Sequence, residues 1–359
     1  MSNMYTNDRI VVAMSGGVDS GTTAALLKNQ GYDVVGITMQ LWDYGEADGG
    51  CCSADEVCDA RRVAYEVGIP HYVANYMELF KKHIVSDFIS KYEEGFTPIP
   101  CILCNQFMKF NFLLKRALEF GADYLATGHY AIVEQNEKNG EYELKKSVDP
   151  NKDQSYFLFT LTQKELSRLK FPLGNKTKPM VRELARTMGL KIAEKAESMG
   201  VCFITGGNYR EFLEPYINKG KEKGEMLDTE DNLIGEHNGI SSYTIGQRRG
   251  LGFANGEPMY VVRIDSEKNR VIVGRESDLF SSSLIAEKLS WVSRPPKSDI
   301  EVTAKIRYRH SEQPAIISVN QDKVYVSFKN PQKAVTPGQA VVFYQQNKVL
   351  GGGWIKEAI

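Results

Sequence analysis

The stretch Ile10-Val11-Val12-Ala13-Met14-Ser15-Gly16-Gly17-Val18-Asp19-Ser20 runs from apolar, β-favouring residues into two glycines, then an acid and a hydroxyl. The residues from Gly21 to Gln30 are amphipathic and read as a helix. The expected element is therefore strand, tight turn, helix N-terminus. Glycines let a backbone approach a ligand closely, and the first helical turn offers unpaired N–H groups with about half a positive charge. A phosphate suits that place, although a plain Gly-Gly turn also joins strands to helices. No lysine follows as in a Walker-type loop, and no G-x-G-x-x-G is present.

Ser15-Gly16-Gly17-Val18-Asp19-Ser20 resembles the pyrophosphate loop of enzymes that split ATP between its α and β phosphates and adenylate a substrate. The segments after it alternate. Asp33 to Met39 reads as a buried strand, Gln40 to Ser53 as a Gly-, Asp- and Cys-rich loop, and Ala54 to Val67 as a helix. A strand at His71 to Asn75 and a helix from Met77 to Tyr92 continue the pattern. Such alternation predicts an α/β fold, a doubly wound parallel sheet that binds ligands beyond the carboxyl ends of its strands. Ser15 to Gly17 and Met39 fall at such ends, and Met39 reads either as core filling or as the wall of an adenine pocket. The short strand Tyr124 to Thr127 ends in Gly128-His129-Tyr130, which brings Gly128 and His129 toward the same crevice. A hairpin follows from Ile132 to Ser147, turning at Lys138-Asn139-Gly140. Lys152, Asp153 and Gln154 then suit either a polar ligand or a solvated turn capped by Asp153.

At 359 residues the chain exceeds one small core, and its texture divides it at about residues 205 and 275. Residues 1–205 form the α/β part, 206–275 a small central β module, and 276–359 a C-terminal β-barrel. A net charge of −1 announces no nucleic acid globally, so such a partner would be met by local basic patches. The polar start, Met1 to Arg9, is unlike a secretory signal, and no apolar run is long enough to span a bilayer, so a cytoplasmic location without a membrane is expected.

Six cysteines, at 51, 52, 58, 101, 104 and 202, then suggest metal, catalytic or incidental thiols rather than a disulfide framework. In Gly95 to Asn105 two prolines stiffen a loop that carries Cys101 and Cys104 to the start of a helix reaching Phe120. The helix dipole at that start is expected to lower a thiol's pKa. Alone, the C-x-x-C spacing fits a zinc half-site, a redox pair or chance, and Cys202 adds only one more thiol. Cys202, among apolar neighbours, reads as a buried thiol in a short strand. Lys178, Arg182 and Arg186 share one helix face, with Lys191 and Lys195 beyond, as either a solvated face or a phosphate-backbone footprint. Arg307-Tyr308-Arg309-His310 sets cations around an aromatic ring, a mix that suits stacking and phosphate contact or a half-exposed strand.

Taken with Pro100 to Asn105, Ala126 to Tyr130, Gly200 to Phe203, Tyr243 to Arg248 and Pro337 to Gln339, these motifs resemble the tRNA-specific 2-thiouridylases along nearly the whole chain. The resemblance implies an adenine nucleotide alpha hydrolase-like first domain and ATP, with Mg, adenylating the C2 oxygen of a wobble uridine, which a protein-bound sulfur then replaces. It implies that Ala13, Met14, Ser15, Gly16, Gly17, Val18, Asp19, Ser20, Met39 and Gly128 bind ATP. Cys104 would be the nucleophile and Cys202 the persulfide carrier. Ile99, Pro100 and Cys101 would meet the target base, and His129, Lys152, Asp153, Gln154, Arg307, Tyr308 and Gln339 the tRNA. A sulfur-donor protein, a cysteine desulfurase or a relay, is implied as partner, and a monomer is expected. Family members often carry Asn where Ile99 stands, and Asp or Cys at Cys101. With three thiols, Cys101, Cys104 and Cys202, a 4Fe–4S cluster is an alternative to the two-cysteine persulfide route. A tRNA 2-thiocytidine synthase is the alternative activity.

Overall fold

The structure, a computed structural model, describes residues 8–42, 55–197, 200–204, 208–252 and 257–359. The predicted loop from Gln40 to Ser53, with Cys51 and Cys52, lies largely outside them. The chain forms two compact units, one of Met1–His83, Cys101–Met199 and Asn347–Val349, the other of Ile84–Pro100, Gly200–Gln346 and Leu350–Ile359.

In the first unit, strands β1 (Arg9–Ala13), β2 (Asp33–Gln40), β3 (His71–Asn75), β4 (Tyr124–Ala126) and a short β7 (Leu169–Lys170) form a parallel sheet in the order β3-β2-β1-β4-β7. β1 is central, and Ile10, Val11 and Val12 are all buried, as a strand covered on both faces requires. Helix α1 (Val18–Asn29) packs Ala24, Ala25 and Leu27 into the same core as Ala60, Val63 and Ala64 of helix α2 (Asp55–Val67). The fit is close: a Cβ on Gly21 would lie 2.6 Å from Ile192 and 3.0 Å from Val63. α1 starts at Val18, three residues before the predicted Gly21, because Gly17 takes the extended cap conformation (φ −92°, ψ 164°). The predicted hairpin forms as β5 (Ala131–Gln135) and β6 (Tyr142–Lys146).

Helix α3 covers 77–93 and helix α4 100–119, each with a wide π-helical stretch, Lys81–Val85 and Cys104–Leu113 respectively. Helix α5 spans Lys178–Thr187. No helix among the described residues is long and apolar enough to cross a membrane.

In the second unit, β8 (Gly224–Leu227), β9 (Leu233–His237), β10 (Tyr260–Asp265) and β11 (Arg270–Gly274) form a small sheet in the order β10-β11-β8-β9 around Met226, Val261 and Val271. Six further strands build a barrel: β12 (Phe280–Trp291), β13 (Ile300–Lys305), β14 (Gln313–Asn320), β15 (Lys323–Lys333), β16 (Ala340–Gln345) and β17 (Lys348–Ala358). Pairing of β12 with β17 closes it. β17 escaped the sequence reading because Gly351, Gly352 and Gly353 interrupt its apolar pattern. Those glycines bring two backbones together: a Cβ on Gly351 would lie 2.4 Å from the Ser290 carbonyl oxygen, and one on Gly353 2.9 Å from that of Glu287.

Candidate active site

The glycine loop leaves the carboxyl end of β1 where the strand order turns, with β2 on one side and β4 on the other, the usual place for a ligand crevice. Gly16 has φ +69°, and a Cβ there would lie 2.3 Å from the Glu56 carbonyl oxygen, so only glycine fits between loop and α2. Ser15 donates its N–H to the Ser20 hydroxyl (3.1 Å), which donates to the Gly17 carbonyl (3.2 Å). The amides of Val18, Asp19 and Ser20 precede the first intrahelical bond, from Gly21 N–H to the Gly17 carbonyl (3.1 Å). Across the crevice Gly128 follows β4, and a Cβ there would stand 2.9 Å from the Ser20 nitrogen. The predicted pair of glycine-bearing strand ends is thus brought together. Met39, part-exposed, is the last residue but one of β2 and lies beside Ala74 of β3.

Side chains missed as site residues surround the loop. The Lys178 ammonium donates to both Asp19 carboxylate oxygens (2.7 and 2.8 Å) and lies 2.9 Å from Glu197. Tyr130 donates its hydroxyl to Asp19 Oδ1 (2.8 Å), and burial together with the Asp19 charge keeps that phenol protonated. Lys195 donates to the Gly16 carbonyl (3.2 Å) and to Asp59 (2.6 Å). The only sequence signal for these lysines was the cationic stripe, and it pointed the wrong way. Arg182 donates to the carbonyls of Ala193 and Lys195, and Arg186 pairs with Glu183 and Glu194. Acids and carbonyls thus take up the cations of α5, from Glu183 on the same helix to Asp19 159 positions away, so the stripe is not a bare cationic face.

Lys152 pairs with Glu197, which the neighbouring lysines hold at a pKa of about 2. Asp153 is buried and accepts from the Ser147 and Ser155 amides (3.0 and 3.3 Å) and the Ser155 hydroxyl (2.8 Å). Gln154 accepts from the Tyr130 amide (2.9 Å). The run does turn, but the turn is not the solvated, Asp153-capped one expected: Asp153 is buried, and Gln154 occupies the cap position of the short helix Ser155–Leu158.

The thiol region corrects a second expectation. The helix begins at Pro100, so Cys104 sits one turn inside α4 instead of ahead of its N-terminus. Burial pushes the half-buried Cys104 thiol up to about 11, against the pull of the Lys109 ammonium. Cys101 is pushed in the same direction, yet it is exposed, so for it the push carries less weight. His129 is buried, with Nδ1 2.6 Å from the Thr127 hydroxyl and Nε2 3.4 Å from Lys109 Nζ. Burial, then the Lys109 charge, holds the imidazole neutral, so Nε2 accepts from the ammonium and Nδ1–H faces Thr127. Asn105, also buried, donates to the Phe157 carbonyl (3.2 Å) while its side-chain oxygen has no hydrogen-bond partner. Cys58 lies on α2 and is disulfide-bonded, where metal, catalytic or incidental usage was expected.

In the second unit Cys202 is exposed in a turn, so the expected buried strand thiol is not found. Ile99 is half-buried and Pro100 buried. Thr97 N–H donates to the Pro337 carbonyl (3.0 Å) and Gln339 donates to the Thr97 carbonyl (2.9 Å), which ties the strand-like approach to α4 against the barrel turn. Arg307 donates to the Lys333 carbonyl (2.8 Å), and Tyr308 lies 5.7 Å from the Lys305 ammonium. Both follow β13 in a bend and turn, so the half-exposed strand reading does not hold for them. Among the described residues no three Cys, His, Asp or Glu side chains are arranged to hold a metal ion.

Residues 8–206 match the family model of the tRNA methyl transferase HUP domain, 210–275 that of the tRNA methyl transferase PRC-barrel domain, and 281–355 that of the Aminomethyltransferase beta-barrel domain. The chain is 50% identical over 359 residues to the tRNA-specific 2-thiouridylase MnmA of Geobacter metallireducens, covering 98% of this chain and 97% of that one. It is 51% identical over 357 residues to the tRNA-specific 2-thiouridylase MnmA of Halothermothrix orenii, with 98% and 99% covered. Among solved structures, the U34-tRNA thiolase NcsA from Methanococcus maripaludis with its 4Fe–4S cluster is 18% identical at a TM-score of 0.36, over 60% of this chain and 66% of that one, too faint a likeness to bear on the site.

Proposed function

The chain belongs to the tRNA-specific 2-thiouridylase family, and we propose how its own residues divide the ATP-dependent replacement of a uridine oxygen by sulfur. ATP seats its phosphates on the loop from Ala13 to Ser20, with Gly128 opposite and Met39 against the base. What supports this reading above all is the glycine loop at the switch point of the sheet, where two strand ends meet and neither tolerates a Cβ.

The C2 oxygen of the wobble uridine attacks the α-phosphorus and pyrophosphate departs, which turns a poor leaving group into AMP. The terminal sulfur of a Cys202 persulfide then bonds to C2 as AMP leaves. Cys104, as thiolate, attacks the inner sulfur of that persulfide. The sulfur–sulfur bond breaks, its electron pair stays with the sulfur on C2, and a Cys104–Cys202 disulfide forms. Cys104 needs help to ionise, because its pKa of about 11 leaves roughly 0.1% thiolate near pH 8. Without the pull of the Lys109 ammonium that fraction would be smaller still.

Ile99, Pro100 and Cys101 meet the base, and Arg307, Tyr308 and Gln339 face tRNA, together with Lys152 and Gln154. His129 and Asp153 act from within by holding the crevice in shape, since both are buried. Residues 1–205 make up the ATP-binding domain, 206–275 the central β domain and 276–359 the tRNA-contacting barrel. The enzyme works as a cytoplasmic monomer supplied by a sulfur-donor protein.

The test is sulfur incorporation into tRNA by Cys104→Ala and Cys202→Ala. Both are expected to be inactive, and unchanged incorporation in both sinks the sulfur-transfer assignment. Iron content after anaerobic purification, with activity after chelation, separates the persulfide route from the cluster route.

A further inference from the structure

Lys178 is buried, at 7% exposure, with its ammonium between two carboxylates. The ammonium is delivered from a fixed base, since Lys178 begins α5 and its backbone N–H donates to Asp149 Oδ2 (2.9 Å). It grips Asp19 at 2.7 and 2.8 Å while Tyr130 holds the same carboxylate at 2.8 Å. Asp19 lies in the first turn of α1, among the amides assigned to the phosphates. An unneutralised carboxylate there would repel a triphosphate. The ammonium is also shared with Glu197, 2.9 Å away, and Glu197 in turn takes Lys152.

We propose that Lys178 is a positioning residue for the nucleotide: by neutralising Asp19 it sets the charge that the triphosphate meets at the glycine loop, and Glu197 is the counterweight that draws part of that charge away. The proposal rests on ATP occupying the loop. It yields effects of opposite sign from two members of one ion-pair network, which a merely structural role does not.

The experiment is calorimetric titration of the full-length protein with Mg-ATP in the absence of tRNA. Lys178→Met bares two carboxylates and is expected to weaken ATP binding by about tenfold to a hundredfold. Glu197→Gln leaves Lys178 wholly to Asp19 and releases Lys152, so it is expected to tighten binding by about threefold. Lys178→Met combined with Glu197→Gln falls between the two, and Lys178→Arg restores most of the affinity. Weaker binding in Glu197→Gln, or unchanged binding in Lys178→Met, overturns the proposal. If Lys178→Met fails to fold, the sign of the Glu197→Gln effect decides alone. A wild-type protein that binds no Mg-ATP overturns the nucleotide assignment of the loop instead, so the two failures are distinct.

Discussion

The glycine loop and the thiol-bearing start of α4 are both short motifs at the edge of the same unit, yet they hold their chemistry differently. The loop offers backbone N–H groups, whose direction follows from helix geometry once Gly17 caps α1. The thiols offer sulfur atoms, whose ionisation depends on what packs around them. Cys104 lies inside the helix and its thiol is pushed up to about 11, so the dipole that serves the loop does nothing comparable for the thiol. A backbone site arrives ready with its secondary structure, whereas a thiol site has to be tuned by neighbours such as Lys109.

That difference can be broken most forcefully by removing one region and reading the other. Cys104→Ser should reduce sulfur incorporation by about a thousandfold or more. ATP affinity measured by calorimetry should stay within about twofold, as for separate sites. Loss of ATP binding in that variant would show that the two regions are one.

Gly16→Ala is the reverse cut. A Cβ would meet the Glu56 carbonyl oxygen at 2.3 Å, and φ is +69°. ATP binding should disappear and the melting temperature should fall, with backbone strain of about 1–3 kcal/mol. Alkylation of Cys104 should proceed at its wild-type rate, and a slower rate would tie the thiol to the loop.

A third, smaller effect concerns pH. Only the thiolate reacts with iodoacetamide, and burial raises the Cys104 pKa, so the ionised fraction grows as pH rises toward about 11. In a Cys101→Ser background without ATP or tRNA, the logarithm of the alkylation rate should climb linearly past pH 9. A plateau near an ordinary thiol pKa of about 8.5 would mean that the thiol is not tuned by burial at all.

The smallest effect is expected on α5. Arg186 is exposed and already paired with Glu183 and Glu194, so Arg186→Ala should leave the salt dependence of tRNA binding unaltered. A flatter salt slope would return that face to the tRNA interface.

Much of this was legible in the residues. The parallel sheet, its strand ends and the glycine loop followed from local periodicity, and β3 at His71–Asn75 matches the predicted span to the residue. Three features were not legible. β17 was hidden because its glycines serve a partner strand, β12, that lies far back in the chain. The start of α4 was placed too late because two prolines read as loop, although Pro100 is well suited to a first helical turn. The cations of α5 were read as an outward face because helical spacing shows which side chains share a face and not what lies opposite.

The amino-acid sequence by itself determined the order of elements, the position of the glycine turn and the identity of the thiols, because these depend on residues adjacent in the chain. Only the tertiary structure decided which charge stands beside which, that Lys178 meets Asp19 across 159 positions, that Cys104 is half-buried and that Cys202 is exposed. Coulomb energies and desolvation act through distances in space, and no local pattern records them.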